Sequence, residues 1–594
     1  MKEGRALGAS LLVVLAAGVL TFALLGPPFY HFNDDAVMST VVSGVGWIGG
    51  EVHPSPRAVF IHLLLGRALV ALYAWSPARP WYGLMLLAAV ALASLTLVFA
   101  GLRLGPRPLS AALLALLGAL VTSSGVSALH FGIAASLLGG GAVALAVSLT
   151  VRPAGTVGRT CALAGSSFLA ALFAALLRPE SCWLGMATLA PLGLLVLHRR
   201  GWRGCRPLLA GLLALALVHL GLLVYERHDY AAAPGWAETY EWMDAWRALA
   251  DRSHIVYDQK SRAAFAAAGW SANDFDQLRG WFVWEPERYG AASLRRLYAV
   301  LHSHGAVARA SLGEGRLRRA LVTPWSVAAL ALALLLGWAG SRRERVELTL
   351  GVLWSLALLV AVAVVFKAPP VRVHLPVWLL AAGVPVLWSA AGGAGDAAAP
   401  SGRGRVTGIL ALAALSSSGF AHGVETRALA ASREQRAAGA RRDLARLAAF
   451  RDSLLLNWAG LFPVQDLLRP LEPFRDRAGR LGEYGQHSFF WLGWPTRLPI
   501  NQLWLERHGV RDLYEALYDR ADLLLLTQPE YLPLVERDVW EHRGIVVGHE
   551  LVLAGETVSV YRLVRPAAKD DVIRASAAAR TTYRHGDRGP RPNG

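Results

Sequence analysis

Runs of roughly 16–21 residues free of Asp, Glu, Lys and Arg recur along this chain, each long enough for a helix across a bilayer core. They lie near 6–26, 82–102, 108–124, 131–151, 160–177, 183–198, 207–225, 320–340, 348–366, 373–391 and 406–422. A charge at the centre of such a run costs about 3 kcal/mol on insertion, so each predicts a spanning helix, eleven in all. The stretch 58–75 is equally apolar, but Arg67 sits at its centre and His62 about a turn before it. That pattern predicts an amphipathic helix lying in the membrane interface rather than a crossing.

The arginines arbitrate the topology. With 58–75 left out of the count, Arg103/Arg107, Arg152/Arg159, Arg199/Arg200/Arg203/Arg206, Arg342/Arg343/Arg345 and Arg403/Arg405 all fall on one side with Lys2 and Arg5. By the positive-inside rule that side is cytoplasmic. The loops 27–81 and 226–319 and everything beyond about 423 are then external. The 226–319 loop carries Trp236, Trp242, Trp246, Trp270, Trp281 and Trp284, an aromatic density that fits a membrane surface or a sugar ring.

The C-terminal region begins with an Ala/Arg/Leu-rich helix over about 427–456 and then alternates short helices with strands. Strands are predicted at Asp522–Leu526, Gly544–Val547 and the pair Glu550–Leu553/Val558–Leu563 around Gly555. This divides the chain into a membrane domain (1–425), an external α/β domain (426–575) and an Arg/Gly/Pro-rich tail (576–594) predicted to be disordered. No repeat relates two halves of the chain, which weakens the case for a secondary transporter.

Composition agrees with this picture. Of 594 residues 54% are hydrophobic and 17% charged, with a mean hydropathy of +0.39, too apolar for a soluble chain of this length. The net charge of +17 sits in short loops rather than along one aromatic-studded face, which argues against nucleic acid. Cys161, Cys182 and Cys205 have no metal-ligand spacing and form no disulfide framework. The chain has no P-loop, no dinucleotide fingerprint after a strand, no His-Glu-x-x-His and no Gly-x-Ser-x-Gly, so nucleotide hydrolysis, redox and serine-hydrolase chemistry have no support. High Ala, Arg and Leu content fits a GC-rich bacterial source.

Candidate chemistry gathers on the external rim. Asn33-Asp34-Asp35 follows the first span directly, and adjacent carboxylates raise one another's pKa. A solvated turn is the plain alternative. Arg178 and Glu180 lie at the outer end of 160–177, and Lys367 and Arg372 between the spans 348–366 and 373–391. A carboxylate there can take a proton from an attacking hydroxyl, and cations can receive a departing phosphate. Asp34 or Asp35 fits the first role and Lys367, Arg372 and Arg178 the second, with snorkelling anchors the alternative for the arginines. His53 is a candidate substrate contact or a solvated loop residue, and His130 a cavity residue or a helix cap. Asn273-Asp274 reads as a helix N-cap.

These features together resemble the GT-C class of membrane glycosyltransferases: the external Asn-Asp-Asp, a long first external loop with an interfacial helix, Arg178-Pro179-Glu180, and the Pro-rich Lys367–Arg372 segment. Ser43-Gly44, Phe60-Ile61-His62, Pro80-Trp81-Tyr82 and Gly269–Asp274 also look like uncharacterised bacterial proteins of this kind. The resemblance implies a polytopic α-helical membrane protein, a GT-C-like bundle of about eleven helices with a small extracytoplasmic α/β domain. The expected location is the bacterial inner membrane, with a cytoplasmic N-terminus and an extracytoplasmic C-terminal domain. The implied activity is inverting transfer of a sugar from a polyprenyl-phosphate carrier to a glycan, lipid or protein acceptor. Asp34 or Asp35 would be the base, with Asp35 slightly preferred, and Asn33, His53, Arg178, Glu180, Lys367 and Arg372 would contact substrate. Some relatives need a divalent cation and others none; with so few acids nearby, no metal and no cofactor is expected.

Two rivals stand beside that reading. One is a transporter or flippase of lipid-linked sugars, which predicts charged groups deep in the spans, where this chain has almost none. The other is a polymerase or ligase of surface polysaccharide, whose chemistry is close; a purely structural envelope protein is the alternative left beside both.

Overall fold

The computed structural model describes residues 2–47, 53–105, 107–250, 255–307, 318, 320–366, 370–392, 402–458 and 461–565. Lys367 and the tail from 576 lie outside the described residues. Among those described, nine helices are long and apolar enough to cross a membrane.

In chain order the membrane part comprises α1 (Lys2–Leu25), α2 (Asn33–Ser43), α3 (Leu63–Trp75), α4 (Trp81–Arg103), α5 (Pro108–Ser127), α6 (Phe131–Val151), α7 (Val157–Leu177), α8 (Pro179–Thr188) and α9 (Ala190–Ala232). Shorter helices α10 (Trp236–Ala250), α11 (Arg262–Ala268), α12 (Ala272–Arg279), α13 (Pro286–Tyr289) and α14 (Ala291–Ser303) follow. Then come α15 (Pro324–Ala339), α16 (Arg342–Phe366), α17 (Val371–Gly392) and α18 (Gly402–Leu447).

α6 is the axis of the bundle and is buried along nearly its whole length. Its small residues allow this close approach. A Cβ on Gly140 would meet Leu380 of α17, one on Gly139 the Cys182 carbonyl of α8, and Ser136 donates to the Ser181 carbonyl. The N-terminus of this rigid helix is where the candidate site is built.

Two of the eleven expected spans are corrected. The run 183–198 is not one helix: α8 ends at Thr188, α9 starts at Ala190 with Pro191 in its first turn, and α9 itself breaks at Gly201 (φ 69°, ψ 174°). The run 320–340 gives α15 with 16 residues, about 24 Å long against a core of roughly 30 Å. α3 begins at Leu63 rather than 58, with His62 capping it by accepting from Leu64 N–H. Its 13 residues reach only about 20 Å, too short to cross. Arg67 is matched by Asp229 (2.5 Å) and Tyr225 (2.6 Å) of α9.

The basic loops collect at one end of the bundle. There Arg103 bonds Glu3 and the Ser148 carbonyl, Arg200 the carbonyls of Thr150 and Val151, and Arg199 pairs with Glu347. The segment Phe29–Tyr30 (β1) pairs in parallel with Ala128–Leu129 (β2) at the opposite end, beside α2.

α18 has 46 residues and so runs about 69 Å. It carries the chain straight through the expected boundary at 425/426 to the C-terminal sheet. That sheet contains β3 (Leu454–Asn457), β4 (Ser488–Trp491), β5 (Leu523–Thr527), β6 (Gly548–Leu553) and β7 (Ser559–Val564) in the order β4-β3-β5-β7-β6. The first three are parallel and the last two antiparallel to their neighbours. α19 (Val464–Leu467), α20 (Pro499–Arg507), α21 (Leu513–Asp519) and α22 (Leu532–Arg543) complete the domain. Asp443 of α18 ties the helix to the sheet by accepting from the N–H groups of Glu556 and Thr557 in the β6–β7 turn.

The expected strand at Gly544–Val547 is not formed, because Gly544 ends α22 in a left-handed conformation (φ 64°) and the strand starts at Gly548. The helix expected to run to 456 ends at Leu447, and Leu454–Leu456 form β3 instead. Buried on both faces between parallel neighbours, that strand has none of the alternation that marks a half-exposed one.

Candidate active site

The site forms where α2 begins. Phe32 is extended (φ −129°, ψ 158°) and gives α2 no side-chain cap, so Asn33, Asp34 and Asp35 occupy its first turn, where the helix dipole favours carboxylates. The two acids nevertheless meet different surroundings.

Asp35 is fully buried. Its Oδ1 accepts from the Tyr82 hydroxyl (2.9 Å) and from the Phe131 N–H (3.2 Å), so it joins α2 to the first turns of α4 and α6. Its Oδ2 has no hydrogen-bond partner and lies 3.8 Å from His130 Nε2. Burial pushes the Asp35 carboxyl well above the usual carboxylate range, against the Tyr82 hydrogen bond, with Asp34 adding to the rise. His130 both caps α6, accepting from Gly132 N–H at 2.8 Å through Nδ1, and faces the carboxylate. Burial, reinforced by Arg372, lowers its pKa well below the ordinary value, so the ring is neutral and carries its proton on Nε2.

Asp34 is the accessible acid, with 23% of its side chain exposed. Arg372, at the start of α17, donates to it through Nη1 at 3.3 Å, and the same guanidinium lies 4.9 Å from the centre of the Phe32 ring. Arg178 stands in the extended break between α7 and α8 (φ −165°, ψ 104°), with Pro179 opening α8 behind it. It pairs with the exposed Glu180 at 3.0 Å and lies over the rings of Phe60 and Phe131. Burial lowers its pKa.

A row of aromatic rings connects the two cations: Phe32 to His130 (5.2 Å), His130 to Phe131 (4.2 Å), Phe131 to Phe60 (5.9 Å) and Phe60 to Trp494 of the C-terminal domain (4.8 Å). His31 backs this row; burial, with Arg433 and Arg372, pushes its pKa down to about 3. The arrangement offers two solvent-facing carboxylates, Asp34 and Glu180, each paired with a cation, and an apolar floor, which together can hold an anion and deprotonate a hydroxyl.

The structure thus brings together Asn33, Asp34, Asp35, Arg178, Glu180 and Arg372. It leaves His53 at the far end of α2, where its N–H donates to the Gly44 carbonyl, about 15 Å along the helix from Asp34. Tyr82, Phe32, Phe60 and Trp494 were not assigned roles from the sequence. No spacing ties Trp494 to residues more than 400 positions earlier.

A family-model scan and a search of curated proteins each find no match. Among solved structures, the chain is similar to ArnT from Cupriavidus metallidurans bound to undecaprenyl phosphate, with 13% identity over 93% of this chain and 97% of that one and a TM-score of 0.37.

Among the described residues, one group of three side chains has metal-ligand chemistry, Asp274, Asp538 and His542. Arg288 runs through it, 3.0 Å from Asp274, 3.5 Å from Asp538 and 2.5 Å from His542. A guanidinium in that place neutralises the acids and takes their lone pairs, so the group is an ion network clamping α12 and α13 to α22. Ser271, not Asn273 or Asp274, is the N-cap of α12, and Asp274 completes the capping box.

Proposed function

We propose that this protein is a membrane glycosyltransferase that moves a sugar from a polyprenyl-phosphate carrier to an acceptor hydroxyl, with inversion. The observation that carries the reading is the pairing of a partly exposed carboxylate, Asp34, with the Arg372 guanidinium at the mouth of the bundle. Asp34 takes the acceptor's proton as its oxygen attacks the anomeric carbon, and Arg372 and Arg178 stabilise the negative charge that grows on the departing lipid phosphate. Inversion puts the acceptor oxygen and the departing phosphate on opposite faces of the sugar, so the Asp34–Arg372 pair, in contact at 3.3 Å without substrate, has to part around it.

Asp35 supports this site from below. Burial keeps it from an acceptor, while its bonds to Tyr82 and Phe131 fix the first turn of α2 against α4 and α6. The exposure difference favours Asp34 over Asp35 as the base. Lys367 adds a possible cation from the sequence alone. The polymerase or ligase reading shares this chemistry, and product size separates it from single-sugar transfer.

The test is the stereochemistry of the product. Purified protein is incubated with polyprenyl-phosphate hexoses and pentoses and a cell-envelope extract, and the anomeric configuration is read by NMR. Inverted product, absent with Asp34→Asn, is the expected result. Retention of configuration, or equal product from the variant, overturns the reading.

A further inference from the structure

The end of the bundle away from the candidate active site carries a second ordered surface, at the break in α9. Gly201 holds φ 69° and ψ 174°, a combination open essentially to glycine alone. The chain doubles back there: a Cβ on Gly193 would lie 3.9 Å from Leu208, whereas a continuous helix would hold those two positions about 22 Å apart. α9 is thus a helical hairpin with Arg199-Arg200-Gly201-Trp202-Arg203 at its tip.

The arginines around the tip fall into two kinds. Arg199 bonds Glu347 at 2.8 Å and lies 4.0 Å over the Trp388 ring, and Arg200 donates to the carbonyls of Thr150 and Val151 at the end of α6. These contacts fix the tip against α6, α16 and α17. Arg203 and Arg206 stand on the returning half, exposed, and neither makes an ion pair among the described residues. Three positions apart on a helix, they share a face and repel one another.

Trp202 stands beside them with 62% of its surface exposed. In helical steps of four and three from Arg206, the same face continues through Leu213, Leu217 and Leu220, each more than half exposed. From Arg206 to Leu220 that stripe runs about 21 Å, close to the length of an extended acyl chain. Indoles favour the headgroup level of a bilayer, and a phosphate between two guanidinium groups removes their repulsion. A soluble phosphate would answer the arginines alone, whereas the leucines directly beneath them select a ligand with a chain.

We propose that this tip binds an anionic phospholipid, whose phosphate bridges Arg203 and Arg206 beside Trp202 and whose acyl chain follows Leu213, Leu217 and Leu220. The site is independent of the transferase reading, since its residues lie at the other end of the bundle from Asp34.

In the test, the full chain is delipidated in detergent and titrated with phosphatidylglycerol and phosphatidylcholine, and bound lipids are counted by native mass spectrometry. Each arginine beside an anionic headgroup is worth about fivefold, so the first phosphatidylglycerol should bind roughly 25-fold more tightly than phosphatidylcholine. Arg203→Gln with Arg206→Gln should bring that ratio near one, while Arg203→Lys with Arg206→Lys should keep most of it. Trp202→Leu should weaken both lipids alike. Arg159→Gln with Arg405→Gln removes the same charge from the same end and should leave the ratio unchanged. If the double glutamine variant fails to fold, the single variants carry the test, each losing about fivefold. A wild-type ratio near one overturns the proposal. So does an equal fall in the two glutamine pairs, which would assign the preference to overall charge. Displacement of phosphatidylglycerol by millimolar glycerol 3-phosphate would also overturn it, by making the ligand a soluble phosphate.

Discussion

Replacing the two adjacent carboxylates one at a time separates chemistry from support. Asp34 and its partner Arg372 are partly exposed, 23% and 38% of the two side chains, so Asp34→Asn should cost about 1 kcal/mol of stability. If it is the base, the same change should lower kcat by on the order of 100- to 10,000-fold, equivalent to about 3–5.5 kcal/mol of barrier. Asp35→Asn keeps an oxygen for the Tyr82 hydroxyl and the Phe131 N–H and removes a carboxyl that burial already disfavours in its charged form. Its melting temperature should match the wild type, and activity should stay within about tenfold.

Asp35→Ala is the contrasting case. It leaves both donors buried without an acceptor, at about 1–3 kcal/mol each, or roughly 2–6 kcal/mol against the 5–15 kcal/mol that a typical domain possesses. That variant should melt well below the others. The assay is release of lipid phosphate by protein in nanodiscs supplied with donor and a cell-envelope extract as acceptor, followed by chromatography, beside melting curves from intrinsic fluorescence. A stable Asp35→Asn protein with the larger activity loss, and a nearly active Asp34→Asn, would refute the assignment of roles.

Three further outcomes follow from the geometry. Arg372→Gln should lower kcat/KM for the lipid-linked donor on the order of 100-fold, measured by steady-state kinetics with unchanged melting. Burial pushes Asp538 from 3.8 up to about 7 in the folded chain; a raised carboxyl contributes its stability below the unfolded value and loses it as pH rises through about 7. Melting temperature should therefore fall between pH 6 and pH 8.5, and Asp538→Asn should flatten that slope; Arg288, His542, Tyr514 and Glu285 are the groups that face it. Gly83 of α4 lies against the Pro470 carbonyl so closely that a Cβ would overlap it, so Gly83→Ala should lower the melting temperature and loosen the C-terminal domain, read by limited proteolysis.

The membrane bundle was legible because insertion energetics act on sequence directly: a run without charge of sufficient length has few other fates. Legibility failed where local backbone geometry decides, as at Leu189, whose break interrupts a continuous apolar run, and at α15, which stops short of a full crossing. Arg67 reads as an obstacle in sequence and turns out to be matched by Asp229, 162 positions away. In the C-terminal domain the hairpin around Gly555 and the buried strand β5 were legible, whereas β3 and β4, equally buried, were not.

The candidate site divides in the same way. Asn33-Asp34-Asp35 was visible as an acidic pair beside a membrane span, and Arg372 as a cation at the start of another. What separates the two acids is invisible in sequence, since Asp35 is defined by Tyr82 and Phe131, which arrive from other helices. The aromatic row likewise draws on residues from four distant segments, and only the packing of α6 and the C-terminal domain aligns them.

The central claim is that the chain breaks the bond between a sugar and its lipid phosphate rather than carrying the intact conjugate across the membrane. Proteoliposomes loaded with a polyprenyl-phosphate sugar and supplied with a cell-envelope extract as acceptor, probed for outer-leaflet sugar with a membrane-impermeant reagent before the lipids are extracted for mass spectrometry, decide between the two. The account predicts free polyprenyl phosphate accumulating with the wild type and not with Asp34→Asn. Intact lipid-linked sugar redistributed between leaflets, with no free lipid phosphate formed, would contradict it.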